Sequence, residues 1–383
     1  MSRFLFVSNG HGEASIAERI AEDVRALDGG ADLAHLPLVG SGAGERVLRE
    51  VGPRRVMPSG GLVAMGNVRA FARDLRAGFP ALFAGQLRFL RAAHAEFDVM
   101  LAVGDVYALG MTLVARRPTV FVGTAKSAYV APYGPFERSL LRRAARVFVR
   151  DERTAADLRA ASVDASAPGN VIADLAAEAP AALPGAWIGL LPGSRADAYG
   201  AAVLLARVLR GLAAAGAADA ALLSVAPVLD PRRFADALAA DGWTIAAGAP
   251  PMPFVATAAG ARVVAWAGPL GGLLHASRLV VGQAGTANEA AAAAGVPVVA
   301  LEADGGGRHD WYRMRQRKLL GEALALVPAQ PARAAAAIAD LLADEGRLAR
   351  MRAAGRDRMG GSGGAGRIAS EALSLAARKR AAS

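Results

Sequence analysis

The chain has 383 residues, more than one ordinary domain holds, and 54% of them are hydrophobic, enough for two or three cores. It contains no cysteine, which excludes disulfides, thiolate metal sites and cysteine nucleophiles, and its histidines (His11, His35, His94, His275, His309) never fall at HxH or HxxxH spacing, so no metal is expected. The net charge of +10 rests on arginine, only Lys126, Lys318 and Lys379 being lysine; aromatics are 5% and no basic–aromatic interleaving occurs, so anionic lipid or phosphate is the expected partner and nucleic acid is not.

The opening run RFLFVS (3–8) is too short for a signal-peptide core and reads as a first strand. In SIAERIAEDVRAL (15–27), Ile16, Ile20, Val24 and Leu27 recur at three- and four-residue steps, the mark of an amphipathic helix. Between them stands Asn9-Gly10-His11-Gly12-Glu13, two glycines around a histidine, more than a plain strand-to-helix turn needs. GSGAGERVL (40–48) fails as a dinucleotide fingerprint because Glu45 occupies the third glycine position, which removes NAD. DLAHLPLV, DVMLAVG, TVFVG and RVFVR continue as strands that are apolar on both alternations, as in a parallel sheet covered by helices. Residues 1–178 are therefore expected to form one doubly wound α/β unit.

Within that unit, residues 58–93 carry Arg69, Arg73, Arg76, Arg88 and Arg91 against Asp74, interleaved with Phe71, Phe79, Leu82, Phe83, Leu87, Phe89 and Leu90. Basic residues beside an apolar face suit peripheral docking on an anionic bilayer and a lipid-like acceptor; the alternative is a helix pair packed on the sheet with its arginines in water.

After the Ala- and Pro-rich stretch LAAEAPAALPGAW the pattern restarts with WIGLLPGSR, the helical AYGAAVLLARVLRGLAAAG, and the strands ALLSVAP, ARVVAWAG, RLVVGQAG and PVVALE. Residues 186–350 form a second α/β unit, and 351–383 a basic, glycine-rich tail ending in a short helix. Two such units place a cleft at the carboxyl ends of their strands, where open α/β folds bind ligands. No apolar stretch of about 20 residues spans a membrane, so the protein is expected in the cytoplasm.

Three loops of the second half carry chemistry. In LLPGSRAD (190–197), Gly193 admits a close backbone approach, Ser194 offers a hydroxyl, and Arg195 a cationic fork for phosphate; alternatively Ser194 caps the helix with Asp197. In GQAGTANEAAAAAGVPVV (282–299), Gln283, Gly285, Thr286 and Asn288 precede or open a helix whose start suits a diphosphate, and Glu289 can accept hydroxyl hydrogen bonds from a ribose. Thr286-x-x-Glu289 equally fits a capping box. ADGGGRHDWYRMRQRKLLG (303–321) adds a polar loop with Arg308, His309 and Asp310, and Gln316 on the helix behind it.

Strand-GHGEAS, LAVGDV (101–106), LLPGSR and GTANEA, in this order, resemble lipid-A-disaccharide synthase and especially the family related to it. Gly12-Glu13-Ala14-Ser15 matches the synthase's GEASGD before departing at Ile16; PSGG (58–61) looks like the related family, and residues 148–174 are similar to a segment shared with Kdo transferases. The resemblance implies a GT-B glycosyltransferase: two Rossmann-like domains, inverting metal-independent chemistry without a cofactor, a UDP-linked sugar donor held by Gly193, Ser194, Arg195, Gln283, Gly285, Thr286, Asn288 and Glu289, and a lipid-like or cell-envelope acceptor. Gly10, Gly12, Glu13, Arg308, His309, Asp310 and Gln316 would line the acceptor side. Asp105 falls where the synthase has an acid, but Val106-Tyr107-Ala108 replace its continuation. His11 or Asp105 is the expected base, Asp105 alternatively orienting His11. A nucleotide-sugar 2-epimerase, or a non-catalytic nucleotide-sugar-binding relative, would share this architecture.

Overall fold

In a computed structural model the chain divides into two α/β units, residues 1–171 with 362–383, and residues 172–361. The structure describes residues 1–39, 47–57, 73–177, 183, 187–195, 197–302 and 308–381; of His11 and residues 308–312 it describes the backbone. PSGG, residues 40–46, Arg69 and Phe71 lie outside the described residues.

The first unit runs β1 (Arg3–Ser8), α1 (His11–Leu27), β2 (Asp32–Pro37), β3 (Arg49–Glu50), α2 (Phe79–Ala93), β4 (Val99–Gly104), α3 (Val106–Thr112), β5 (Thr119–Gly123), α4 (Pro135–Leu141), β6 (Arg146–Val149), α5 (Glu152–Ala160) and β7 (Ala165–Ser166). Its strands form one parallel sheet in the order β3-β2-β1-β4-β5-β6-β7. Phe4 through Val7 and Val99 through Val103 are fully buried, because helices cover both faces. Ile16, Ile20 and Val24 of α1 are buried as their spacing predicts, whereas Leu27 at the helix end is 59% exposed.

The second unit runs α6 (Val171–Ala177, entered from the first unit), β8 (Trp187–Leu191), α7 (Ala198–Ala214), β9 (Ala220–Ser224), α8 (Pro231–Ala240), β10 (Thr244–Ala249), β11 (Met252–Ala258), β12 (Ala261–Trp266), α9 (Leu270–Ala276), β13 (Ser277–Gly282), α10 (Thr286–Ala293), β14 (Val298–Glu302), α11 (Arg308–Leu320), β15 (Leu324–Pro328), α12 (Pro331–Ala343) and α13 (Glu345–Met359). The strand order is β10-β11-β12-β9-β8-β13-β14-β15, parallel except where β11 pairs antiparallel with β10 and β12.

The segment expected to be a tail is instead divided between the units. In α13, Leu348, Met351 and Met359 recur on one face and are buried in the second unit. The terminal helix α14 (Gly364–Ala381) belongs to the first unit, packing on α1 with Ala365, Ile368, Ala369, Ala372 and Ala376 buried. An ion pair and a hydrogen bond hold it there: Arg146 pairs with Glu371 at 2.8 Å, and the Arg380 guanidinium donates to the Ser2 hydroxyl at 2.6 Å. Its small apolar stripe is a packing face at helical spacing, which an arginine-rich composition conceals.

Candidate functional site

Each sheet reverses its winding once. In the second unit the chain leaves β8 toward β9 and later returns to β13 on the other side of β8, so the loops after β8 and β13 are neighbours. In the first unit the reversal lies between β1 and β4. Such switch points open a crevice outside the carboxyl ends of the strands. The two switch points gather LLPGSR with GQAGT, and NGHGE with GDV.

The loop after β8 contains Gly193 at φ +111°, half-exposed Ser194 and exposed Arg195. Helix α7 begins only at Ala198, and Asp197 before it makes no side-chain cap, so Ser194 is not the helix cap that its spacing to Asp197 allows. After β13, Gly285 precedes α10 and has no side chain to cap with; Thr286 already lies inside the helix, and the Thr286–Glu289 capping box does not form. The Gln283 amide N–H donates to Leu191 O at 2.9 Å, lacing this loop to the end of β8, while its side chain reaches Leu301 O at 3.4 Å. Asn288 and Glu289 N–H both donate to Gly285 O. The N–H groups of Ala284, Gly285, Thr286 and Ala287 donate to nothing among the described residues. Amides left without an acceptor at a helix start attract an anion.

Behind this loop lies a buried polar cluster. Gln316 Nε2 donates to Ala284 O at 3.3 Å and Gly285 O at 3.4 Å, and its Oε1 accepts from Asn288 Nδ2 and Arg313 Nη1, both at 3.2 Å. Asn288 is fully buried, Gln316 is 4% exposed and Arg313 5%. Gly282 is required here: a Cβ on it would stand 1.8 Å from Asn288 Oδ1. Gln316, expected on the acceptor side, therefore supports the loop expected to hold the donor, and Asn288 is turned into the protein. Sequence reading missed Arg313; its signal is the three-residue spacing to Gln316 along α11. Arg308, His309 and Asp310 form the first turn of α11, and their side chains lie outside the described residues.

In the first unit, α1 begins at His11 with Gly10 as an uncapped, extended N-cap, so the connecting loop is two residues long, not the longer stretch its glycines suggest. Gly12 and Glu13 lie in the first helical turn, and the His11 side chain lies outside the described residues. Asp105 caps α3, its Oδ1 accepting from Ala108 N–H at 2.9 Å, and its Oδ2 accepts from Asn9 Nδ2 at 3.1 Å. One carboxylate oxygen thus ties the end of β1 to the end of β4, and the other caps the helix that follows β4. The Glu13 side chain fills the space beside both loops, since a Cβ on Gly10 would meet its Oε2 at 2.6 Å and one on Gly104 its Cγ at 2.9 Å; Gly104 itself sits at φ +126°, where a side chain would also be strained. Burial and the Asp105 charge push the Tyr107 phenol up to about 12. The Tyr133 phenol is pushed up as well, by complete burial first and then by the Glu137 charge.

Of the segment read as a membrane face, the structure describes residues 73–93. Leu82 and Leu90 of α2 are buried in the first unit's core and Phe79, Phe83, Leu87 and Phe89 pack half-buried against it, leaving Arg88 and Arg91 in water. The apolar side chains of α2 thus follow the alternative reading, a helix packed on the sheet. No described helix is long and apolar enough to cross a membrane, and among the described residues no three His, Asp or Glu side chains gather as a metal site requires.

No protein-family model and no curated protein matches the chain. Solved structures do, over its whole length. A UDP-N-acetylglucosamine 2-epimerase matches 99% of this chain and 98% of its own, with a TM-score of 0.58 and 12% identity. Acinetobacter baumannii MurG matches 98% and 100%, with a TM-score of 0.55 and 13% identity. The glycosyltransferase SnogD from Streptomyces nogalater matches 98% and 99%, with a TM-score of 0.50 and 17% identity. The fold is GT-B. At these identities the likeness is one of fold.

Proposed function

We propose that the second unit binds the diphosphate of a UDP-linked sugar and that the protein transfers this sugar, with inversion, to a lipid-like or cell-envelope acceptor. The observation that carries the donor reading is the loop after β13: the carbonyls of Ala284 and Gly285 accept from Gln316 while the amides of residues 284–287 donate to nothing among the described residues. The neighbouring loop adds Ser194 and Arg195, and Glu289, one turn into α10, is proposed for the ribose hydroxyls. The names of the structural neighbours, UDP-sugar epimerases and glycosyltransferases, agree with a nucleotide-sugar ligand.

In the transfer, an acceptor hydroxyl oxygen attacks the anomeric carbon as the bond from that carbon to the diphosphate oxygen breaks. The hydroxyl proton passes to a base on the first unit, and the leaving diphosphate's charge meets the amides of α10 and Arg195. His11 and Asp105 are the proposed base candidates. His11 is proposed as the proton acceptor, and Asp105, whose oxygens accept from Asn9 and from Ala108, as the residue that fixes the loop after β4 to the end of β1. The acceptor, and with it a cytoplasmic protein working at the membrane's inner face, is proposed from the resemblance of the sequence motifs and from the basic and apolar residues of 58–93.

A 2-epimerase is the second reading, favoured by the epimerase among the structural neighbours and by the burial of the apolar side chains of α2. Thermal unfolding of the purified protein against UDP, GDP, CDP and ADP tests the donor site: UDP at about a hundred times its dissociation constant adds roughly 2.7 kcal/mol. A shift with UDP that Glu289→Ala abolishes supports the site; no shift with any nucleotide refutes it. Incubating UDP-sugars with and without lipid extract then separates the reactions, since transfer requires acceptor, epimerisation does not, and a binding-only relative turns over neither.

A further inference from the structure

We propose that Gln316, backed by Arg313, is a positioning residue that aims the amides of Gly285 and Thr286 at the diphosphate; this rests on the donor reading above. A trans peptide holds its C=O and N–H in one plane, pointing in opposite directions. The carbonyl of Ala284 shares its plane with the Gly285 N–H, and the carbonyl of Gly285 shares its plane with the Thr286 N–H. Gln316 Nε2 grips both carbonyls, at 3.3 and 3.4 Å; it is the one partner found for Ala284 O among the described residues, and it joins the Asn288 and Glu289 N–H groups on Gly285 O, so one side-chain amide bears on the direction of two backbone donors. The amide is itself oriented, because Oε1 accepts from Asn288 Nδ2 and Arg313 Nη1 at 3.2 Å each, which leaves only the NH₂ to face the loop. The Arg313 guanidinium, 5% exposed, polarises that amide and brings a buried positive charge behind the anion site. Gln316 and Arg313 touch no ligand in this arrangement; they act through the loop.

A role in stability alone would affect nucleoside and nucleotide alike, whereas aiming the loop affects only the phosphates. The full chain is titrated with UDP by calorimetry and with uridine by NMR, for the unaltered protein and for Gln316→Ala, Gln316→Glu and Arg313→Lys. The expected result is a tenfold or greater loss of UDP affinity in Gln316→Ala, with uridine affinity changed less than twofold. Gln316→Glu keeps the shape and loses the two donors, so it reproduces that loss even if the alanine variant fails to fold. Arg313→Lys keeps the charge and loses less. An unchanged UDP-to-uridine ratio in Gln316→Glu overturns the inference while leaving the donor reading intact. If the unaltered protein binds no UDP, the donor reading falls and this inference with it.

Discussion

The replacement Gly282→Ala tests the geometry of the donor loop most directly. An added methyl would stand 1.8 Å from Asn288 Oδ1, 2.7 Å from Cγ and 3.1 Å from Nδ2, so the Asn288 side chain must leave its place. Leaving breaks its hydrogen bonds to Gly282 O at 3.3 Å and Gln316 Oε1 at 3.2 Å in a fully buried setting. Two buried hydrogen bonds at about 1 kcal/mol each, plus roughly 1–2 kcal/mol for polar groups left unsatisfied, give a cost of about 3–4 kcal/mol. For a unit of this size that lowers the unfolding midpoint by about 6–16 °C. The obstacle is one side chain, so removing it should admit the methyl. Asn288→Ala alone should cost about 2 kcal/mol, and the double replacement little more than that. A double-mutant cycle by urea unfolding should then give a favourable coupling of at least about 1.5 kcal/mol. Additive losses would refute the account, because they would mean that Gly282 is needed for its backbone and not for the space that Asn288 occupies.

Burial first, and the Arg54 charge second, lower the His35 pKa to about 4 from 6.5, so the folded state keeps this imidazole neutral beside the Ser8 hydroxyl at 2.9 Å. The unfolded chain binds the proton first, so this stability is fully present above about pH 6.5 and falls by roughly 3 kcal/mol as pH drops to about 4. His35→Asn should flatten the stability–pH curve in that window, and an unchanged slope would contradict it. Asp105→Ala should destabilise the protein by about 1 kcal/mol through the lost α3 cap, measurable by urea unfolding. If turnover in that variant falls in proportion to stability while His11→Ala loses turnover without unfolding, the division of labour proposed for these residues stands; the reverse pattern exchanges their roles. Leu90→Ala in α2 should cost about 2–5 kcal/mol, since this side chain is fully buried, and Arg88→Glu almost nothing; equal small effects would mean that α2 does not pack on the core.

The strands were legible because burial on both faces leaves a continuous apolar run such as Phe4–Val7 or Val99–Val103, a pattern that needs no partner to be recognised. The order of those strands was not, since pairing β1 with β4 or β8 with β13 joins segments far apart in the chain and leaves no local trace. The end of the chain was misread for a related reason. Arginines dominate residues 347–380, while the residues that decide the packing, Leu348, Met351 and Met359 in one helix and Ile368 with four alanines in the next, are small or widely spaced.

The donor loop shows the same limit at closer range. Its outline, Gly-Gln-Ala-Gly-Thr after a strand, is visible in sequence, yet the capping box that Thr286 and Glu289 spell is absent, because Gly285 takes the cap position. A glycine there offers no side chain to the loop, and the orientation that a serine or threonine cap would have supplied comes from Gln316, 28 residues from its partner Asn288. Besides Arg313 on its own helix, its other partners are two backbone carbonyls, Ala284 O and Gly285 O, which any residue type would present. A contact of that kind has no signature in a motif, only in coordinates. An unusually bare loop in a sequence, with glycine where a cap belongs, is therefore a reason to look for a buried polar side chain elsewhere in the chain that holds the loop from behind.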